Sequence, residues 1–161
     1  MYRKNTLILL ILLLLSACQN LQKDDAFRAK YQDVPMNAEL QFWKPTDKFV
    51  VGELLSLELE NFSTEKIVFS FEDDVTILTF ESGEWVEVNN DANYYPPNVY
   101  RQISPKGEDS PGIISIGLSP QISSNTRAPV EIRVVVVGYL YRGDEKTDDK
   151  IGAYIDIKLE P

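Results

Sequence analysis

From Ala38 to Leu159 the apolar side chains recur at every second residue, in short runs broken by polar turns. This period leaves little freedom of fold. Successive side chains of an extended strand point to opposite faces, so alternation means one buried and one wetted face, while a helix would repeat every three to four residues. Ala38, Leu40 and Phe42 share a face. Leu55, Leu57 and Leu59 alternate with Ser56, Glu58 and Glu60, and Asn61-Phe62-Ser63-Thr64 forms a turn cluster. Ile67, Phe69 and Phe71 alternate again before the turn Glu72-Asp73-Asp74. Val75 to Phe80 is apolar on both sides and reads as a central or bulged strand, and Ser82-Gly83 turns the chain into Glu84 to Val88. Further on, Ile114, Ile116 and Leu118 form one face. Val130, Ile132, Val134 and Val136 form another, opposed by Glu131 and Arg133 and extended by Tyr139-Leu140-Tyr141. Arg142 to Asp149 reads as a charged loop. In the last strand Ile151, Ala153, Ile155, Ile157 and Leu159 oppose Tyr154, Asp156 and Lys158.

The pattern predicts an all-β fold: an antiparallel β-sandwich of seven or eight strands over residues 37–161, with a closed barrel as the alternative. A transmembrane barrel needs apolar outward faces, and here they are charged. Within Gly52–Val88, the residues Gly52, Leu55, Leu57, Leu59, Asn61, Ser63, Gly83 and Trp85 follow a Gly-x-x-Leu-x-Leu-x-Leu-x-Asn-x-Ser strand and turn with a later Gly-x-Trp strand. This resembles the immunoglobulin-like domains of exported bacterial lipoproteins over about a quarter of the chain. It is also similar to the sandwich of a bacterial proteinase-inhibitor family, though no inhibitory-loop residue carries over.

The N-terminus has a separate logic. Arg3 and Lys4 precede nine consecutive Leu/Ile residues, Leu7 to Leu15, and then the small residues Ser16-Ala17. That is the order of a secretory signal peptide, and the run is shorter than the roughly 17–25 residues of a spanning helix. Leu15-Ser16-Ala17-Cys18 resembles the lipobox of bacterial lipoproteins. The resemblance implies a diacylglyceryl thioether on Cys18, cleavage between Ala17 and Cys18, and acylation of the new amine with a fatty acid such as palmitate. It makes residues 1–17 a lipoprotein signal peptide. Each buried methylene contributes about 0.8 kcal/mol, so two or three chains hold a protein on a membrane where one does not. Gln19, not Asp, follows the cysteine. In enteric-type diderm bacteria Asp at that position resembles an inner-membrane retention signal, so the resemblance implies that Gln19 would permit outer-membrane sorting; in a monoderm host it implies the outer leaflet of the single membrane. Residues 18–36 are polar, lack a sustained period, and read as a flexible tether with a stretched length on the order of 60 Å.

Composition then excludes function classes. The formal charge is −9, and losing Arg3 and Lys4 with the leader takes it to −11. Such a charge repels nucleic-acid phosphates and anionic lipid. The chain has no histidine and a single cysteine, Cys18. This removes Cys-His and Ser-His-Asp catalysis and the commonest general base, and the expectation is a non-enzyme without cofactor.

Asn89 to Gly112 is long for a connection in a sandwich and carries Tyr94, Tyr95, Pro96, Pro97 and Tyr100. Tyr94, Tyr95 and Tyr100 are the candidate ligand-contact residues, presenting rigid aromatic faces to a protein or a sugar ring. The competing reading has them cover one end of the sandwich, with Val99 to Ile103 as an edge strand. The acidic groups at Glu72-Asp73-Asp74, Asn89-Asn90-Asp91, Asp144-Glu145 and Asp148-Asp149 match no EF-hand spacing, and no metal site is assigned. Arg142-Gly143-Asp144 spells an adhesion tripeptide, and Asn61-Phe62-Ser63 a glycosylation acceptor. Both are read as coincidental in a charged hairpin and a bacterial chain. The resulting expectation is a lipid-anchored extracytoplasmic binding or structural module of the bacterial cell envelope. It meets the membrane through Cys18 and an envelope protein or glycan through the domain. The alternatives are a carbohydrate-binding accessory domain using the Tyr94–Tyr100 loop and a proteinase-inhibitor-like sandwich.

Overall fold

A computed structural model of the chain describes residues 23–70, 73–90, 100–107, 110–123, 127–143 and 145–161. These residues form two compact units, a larger one of residues 33–79 and 87–161 and a smaller one of residues 23–32 and 80–86.

The larger unit is a sandwich of two sheets. Ten strands are described: β1 (Leu40–Trp43), β2 (Phe49–Val50), β3 (Leu55–Asn61), β4 (Lys66–Ser70), β5 (Val75–Glu81), β6 (Glu84–Val88), β7 (Tyr100–Ile103), β8 (Ile113–Leu118), β9 (Val130–Arg142) and β10 (Glu145–Glu160). The smaller sheet has the order β1-β3-β8, antiparallel throughout. The larger follows β2-β10-β9-β4-β7, with β5 on β9 and β6 on β5. Among the described residues its one parallel strand pair sets Phe49–Val50 beside Leu159–Glu160.

The inward faces match the alternation. Leu55, Leu57 and Leu59 of β3 and Ile116 and Leu118 of β8 meet Ile67, Phe69, Ile77, Ile132, Val134, Val136, Ile151, Ala153, Ile157 and Leu159 of the opposing sheet in one buried core. Full burial of each large aliphatic side chain stabilises by about 1.5–3 kcal/mol, which identifies this layer as the main source of stability.

β9 is the spine of the larger sheet. On one side it pairs with β10 along nearly its whole length. On the other it pairs first with β5, from Ile132 to Val136, and then with β4, from Tyr139 to Tyr141. The two partners part at Val137-Gly138. There the Asp74 N–H donates to Ser70 O and the Val137 N–H to Asp74 O. A Cβ on Gly138 would stand 2.7 Å from Ile67 Cγ2 and 3.1 Å from Val68 O, so the fork requires a residue without a side chain.

In the smaller unit residues 23–30 form a helix, α1. Eight residues are too few for a stable isolated helix, so side-chain packing must supply the rest. Phe27 is 3% exposed. Its ring centroid lies 4.8 Å from that of Tyr31 and 6.1 Å, edge-on, from that of Trp85. Phe80 also meets Trp85 edge-on, with ring centroids 5.3 Å apart. The turn at Ser82-Gly83 has φ values of 53° and 91°, the positive pair of a two-residue hairpin turn.

Several expectations change. The strand count is ten because a two-residue strand such as β2 has no readable period. Arg142 to Asp149 is not a free loop: β9 runs to Arg142, β10 starts at Glu145, and the register shifts between Lys146 and Lys150. The segment expected to be a tether, 18–36, is helical at 23–30 and fixed at its end. The Gly152 N–H donates to Pro35 O and the Asn37 N–H to Gly152 O, forming a parallel bridge of Met36 to Gly152. Arg133, on the face expected to be wetted, is 2% exposed. Its guanidinium makes a bidentate pair with Asp156, both bonds 2.7 Å, and lies 4.4 Å from the Tyr154 ring centroid.

Candidate functional site

The cross-strand register gathers a patch of tyrosines and lysines on the outward face of the larger sheet. On β9, Tyr139 and Tyr141 are two residues apart and so share a face. Val68 stands opposite both Tyr139 and Gln102, Lys66 opposite Tyr141, and Ser70 opposite Tyr100. β10 adds Lys146 opposite Tyr141 and Lys150 opposite Tyr139. The Lys146 ammonium sits 3.6 Å from the Tyr139 ring centroid and 5.4 Å from that of Tyr100, bridging β9 and β7. Lys66 stands 5.1 Å over Tyr141. Each cation–π contact at such a surface contributes about 0.5–1 kcal/mol, enough to orient the lysines without burying them.

Tyr100 is the most open of these aromatics, at 57% exposed. It heads β7, which is the last strand of the sheet order, so the edge-strand reading of Val99 to Ile103 holds from Tyr100 onward. The Tyr100 ring nonetheless stays accessible rather than covering the core. Tyr94 and Tyr95 lie outside the described residues, as does Cys18.

Asp74 supplies the acid of the patch. Its Oδ2 accepts the Ser70 N–H at 2.7 Å in the fork between β4 and β5. Burial pushes its carboxyl above the ordinary 3.8, opposed by the Ser70 hydrogen bond and the nearby charges of Lys146 and Lys150, while Asp73 adds to the rise. The patch therefore offers phenol rings, ammonium groups and one partly buried carboxyl. These groups can stack against a ring and hydrogen-bond its substituents.

Other candidates take structural roles. Asn61 is fully buried. Its Nδ2 donates to Glu65 O at 2.8 Å and Ile103 O at 3.0 Å, and its Oδ1 accepts the Ser63 N–H and Ser63 Oγ–H. An amide so engaged cannot act as a glycosylation acceptor; it closes the β3–β4 turn and ties it to β7. Arg142 of the Arg-Gly-Asp tripeptide is paired with Glu65 and Asp149, whose hydrogen bonds push its pKa further up and hold the guanidinium charged. Asp144 lies outside the described residues. Asn90 Oδ1 accepts the Ser119 N–H at 2.8 Å. Among the described residues no three acidic or cysteine side chains gather as a metal site. An open depression of about 520 Å³ beside Asp47, Lys48, Lys158, Glu160 and Pro161 carries mixed charge, including the Lys158–Glu160 ion pair.

Sequence reasoning singled out Tyr100 but missed Lys66, Tyr139, Tyr141 and Lys146. The shared face of Tyr139 and Tyr141 was legible in their spacing. Their approach to Tyr100 was not, because the order β9-β4-β7 joins segments about 40 residues apart. No family model matches the chain, and none of the characterised proteins compared with it is similar in sequence.

Proposed function

We propose that this protein is a lipid-anchored, non-catalytic binding module of the bacterial cell envelope, held on the membrane through Cys18 and facing the periplasm or the cell exterior. The observation that carries the reading is Leu15-Ser16-Ala17-Cys18 directly behind the Leu7–Leu15 run, with the chain's single cysteine at the acylated position. The β-sandwich supports it as a rigid body that displays side chains on a sheet face. The absence of histidine from the sequence supports a binding role over an acid–base one. The Tyr100–Tyr139–Tyr141 patch is the binding face of this reading. A second reading, a carbohydrate-binding accessory domain, draws support from the openness of Tyr100, because sugar rings stack on exposed aromatic faces flanked by hydrogen-bonding groups.

Cell fractionation tests the anchor. Cys18→Ser leaves no thiol for the thioether, so the variant should appear in the soluble fraction or persist as an uncleaved precursor. Recovery of the variant in membranes at the mature size would refute the proposal.

A further inference from the structure

We infer that α1 is a clamp that shortens the anchor, holding the turn of the β5–β6 hairpin at the bilayer surface. The inference rests on the acylation of Cys18 proposed above. A free segment from 18 to 36 would let the domain range on the order of 60 Å from the lipid. In the smaller unit, however, the Trp85 Nε1–H donates to Lys23 O at 2.9 Å, and the Lys23 ammonium lies 5.2 Å from the Trp85 ring centroid. Phe27, one helical turn on, is buried beside Trp85. The chain is therefore gripped at Lys23, five peptide links after the acylated residue. Those links reach at most about 17 Å, and a further hydrogen bond brings Trp85 within roughly 20 Å of Cys18.

The clamp has a second consequence. Lys23, Arg28 and Lys30 are the basic residues of the anchor segment, and all three lie in α1. A protease needs extended backbone, so cleavage here must wait for the helix to leave Trp85. The same contacts that shorten the anchor protect the protein from being shed.

The test uses full-length acylated protein reconstituted in phosphatidylcholine/phosphatidylglycerol vesicles. Acylation consumes the thiol of Cys18, so Glu84→Cys, at an exposed position in the hairpin, provides a unique labelling site. Energy transfer from a donor there to a headgroup-labelled lipid should be high, and should fall in the Trp85→Ala background. Trypsin should release the Trp85→Ala domain from vesicles at least ten times faster than wild type, with new N-termini at residues 24, 29 and 31, because cleavage follows the population of the open form. If Trp85→Ala does not fold, Trp85→Phe keeps a ring without the N–H donor and should be released about fivefold faster, the effect of one hydrogen bond. Equal transfer and equal release in wild type and variant would overturn the clamp while leaving the anchor standing. Failure of the wild-type protein to associate with vesicles, with an unmodified Cys18 by mass spectrometry, would overturn the anchor and the clamp together.

Discussion

Replacing Asn61 with Ala should be among the most damaging polar changes in the sandwich. The amide has no solvent exposure and makes four hydrogen bonds: two donated, to Glu65 O and Ile103 O, and two accepted, from Ser63 N and Ser63 Oγ. In Asn61→Ala the Ser63 hydroxyl keeps Glu65 O as an acceptor, and Glu65 O keeps that hydroxyl as a donor. The Ser63 N–H loses its side-chain acceptor, and Ile103 O loses a donor on a different strand. A buried polar group left without its partner costs about 1–3 kcal/mol, so the two together should cost roughly 2–6 kcal/mol. That is a large part of the ~5–15 kcal/mol by which a domain is stable. Urea unfolding followed by circular dichroism measures it, and the midpoint should fall with the slope unchanged. Ser63→Ala, at about 1 kcal/mol, should be milder, and the double variant should cost less than the sum because the residues share bonds. An Asn61→Ala protein within about 0.5 kcal/mol of wild type, the range of ordinary surface changes, would show that the latch contributes nothing.

Other outcomes follow from the same contacts. Ile132→Asp places a charge in the core and should prevent folding, whereas Glu131→Lys, at an exposed position near the start of the same strand, should leave the melting temperature nearly unchanged. Asp156→Ala strips Arg133 of its bidentate carboxylate and should cost ~2–4 kcal/mol by urea titration, the half-exposure of Asp156 moderating the loss. Asp74 has a raised folded-state pKa, so its contribution to stability is present below the ordinary 3.8 and is lost as pH rises through the raised value. Unfolding titrations from pH 3 to 7 should therefore show wild type losing stability relative to Asp74→Asn across that window. Tyr100→Ala should barely shift the melting temperature, because the ring is mostly solvated; a drop of several degrees would make it a packing residue and remove it from the binding face.

The sequence revealed the core more fully than the surface. Residues such as Leu57, Val134 and Ile157 declared their inward direction because the period of two is a local property of the strand. The Asn61–Ser63 turn was visible as a polar cluster, but its function as a latch depends on Ile103, 42 residues away. Arg133 looked solvated for a similar reason: nothing in the local pattern reveals that Asp156 and Tyr154 stand beside it on β10. The helix at 23–30 escaped notice because a two-turn helix gives too little period to see, and its stability comes from Trp85, 62 residues later. The tyrosine–lysine patch likewise exists only once β9, β4 and β7 are neighbours. Local periodicity thus specified strands and core, while every feature built from distant pairings needed the register.

Mass spectrometry of the mature N-terminus tests the central claim most directly. Complete tryptic digestion of denatured, membrane-extracted protein should yield Cys18–Lys23 as its first peptide, carrying a diacylglyceryl thioether on Cys18, with no peptide from residues 1–17. A peptide with a free Cys18 thiol, or an N-terminus at any other residue, would contradict the anchored module proposed for this chain.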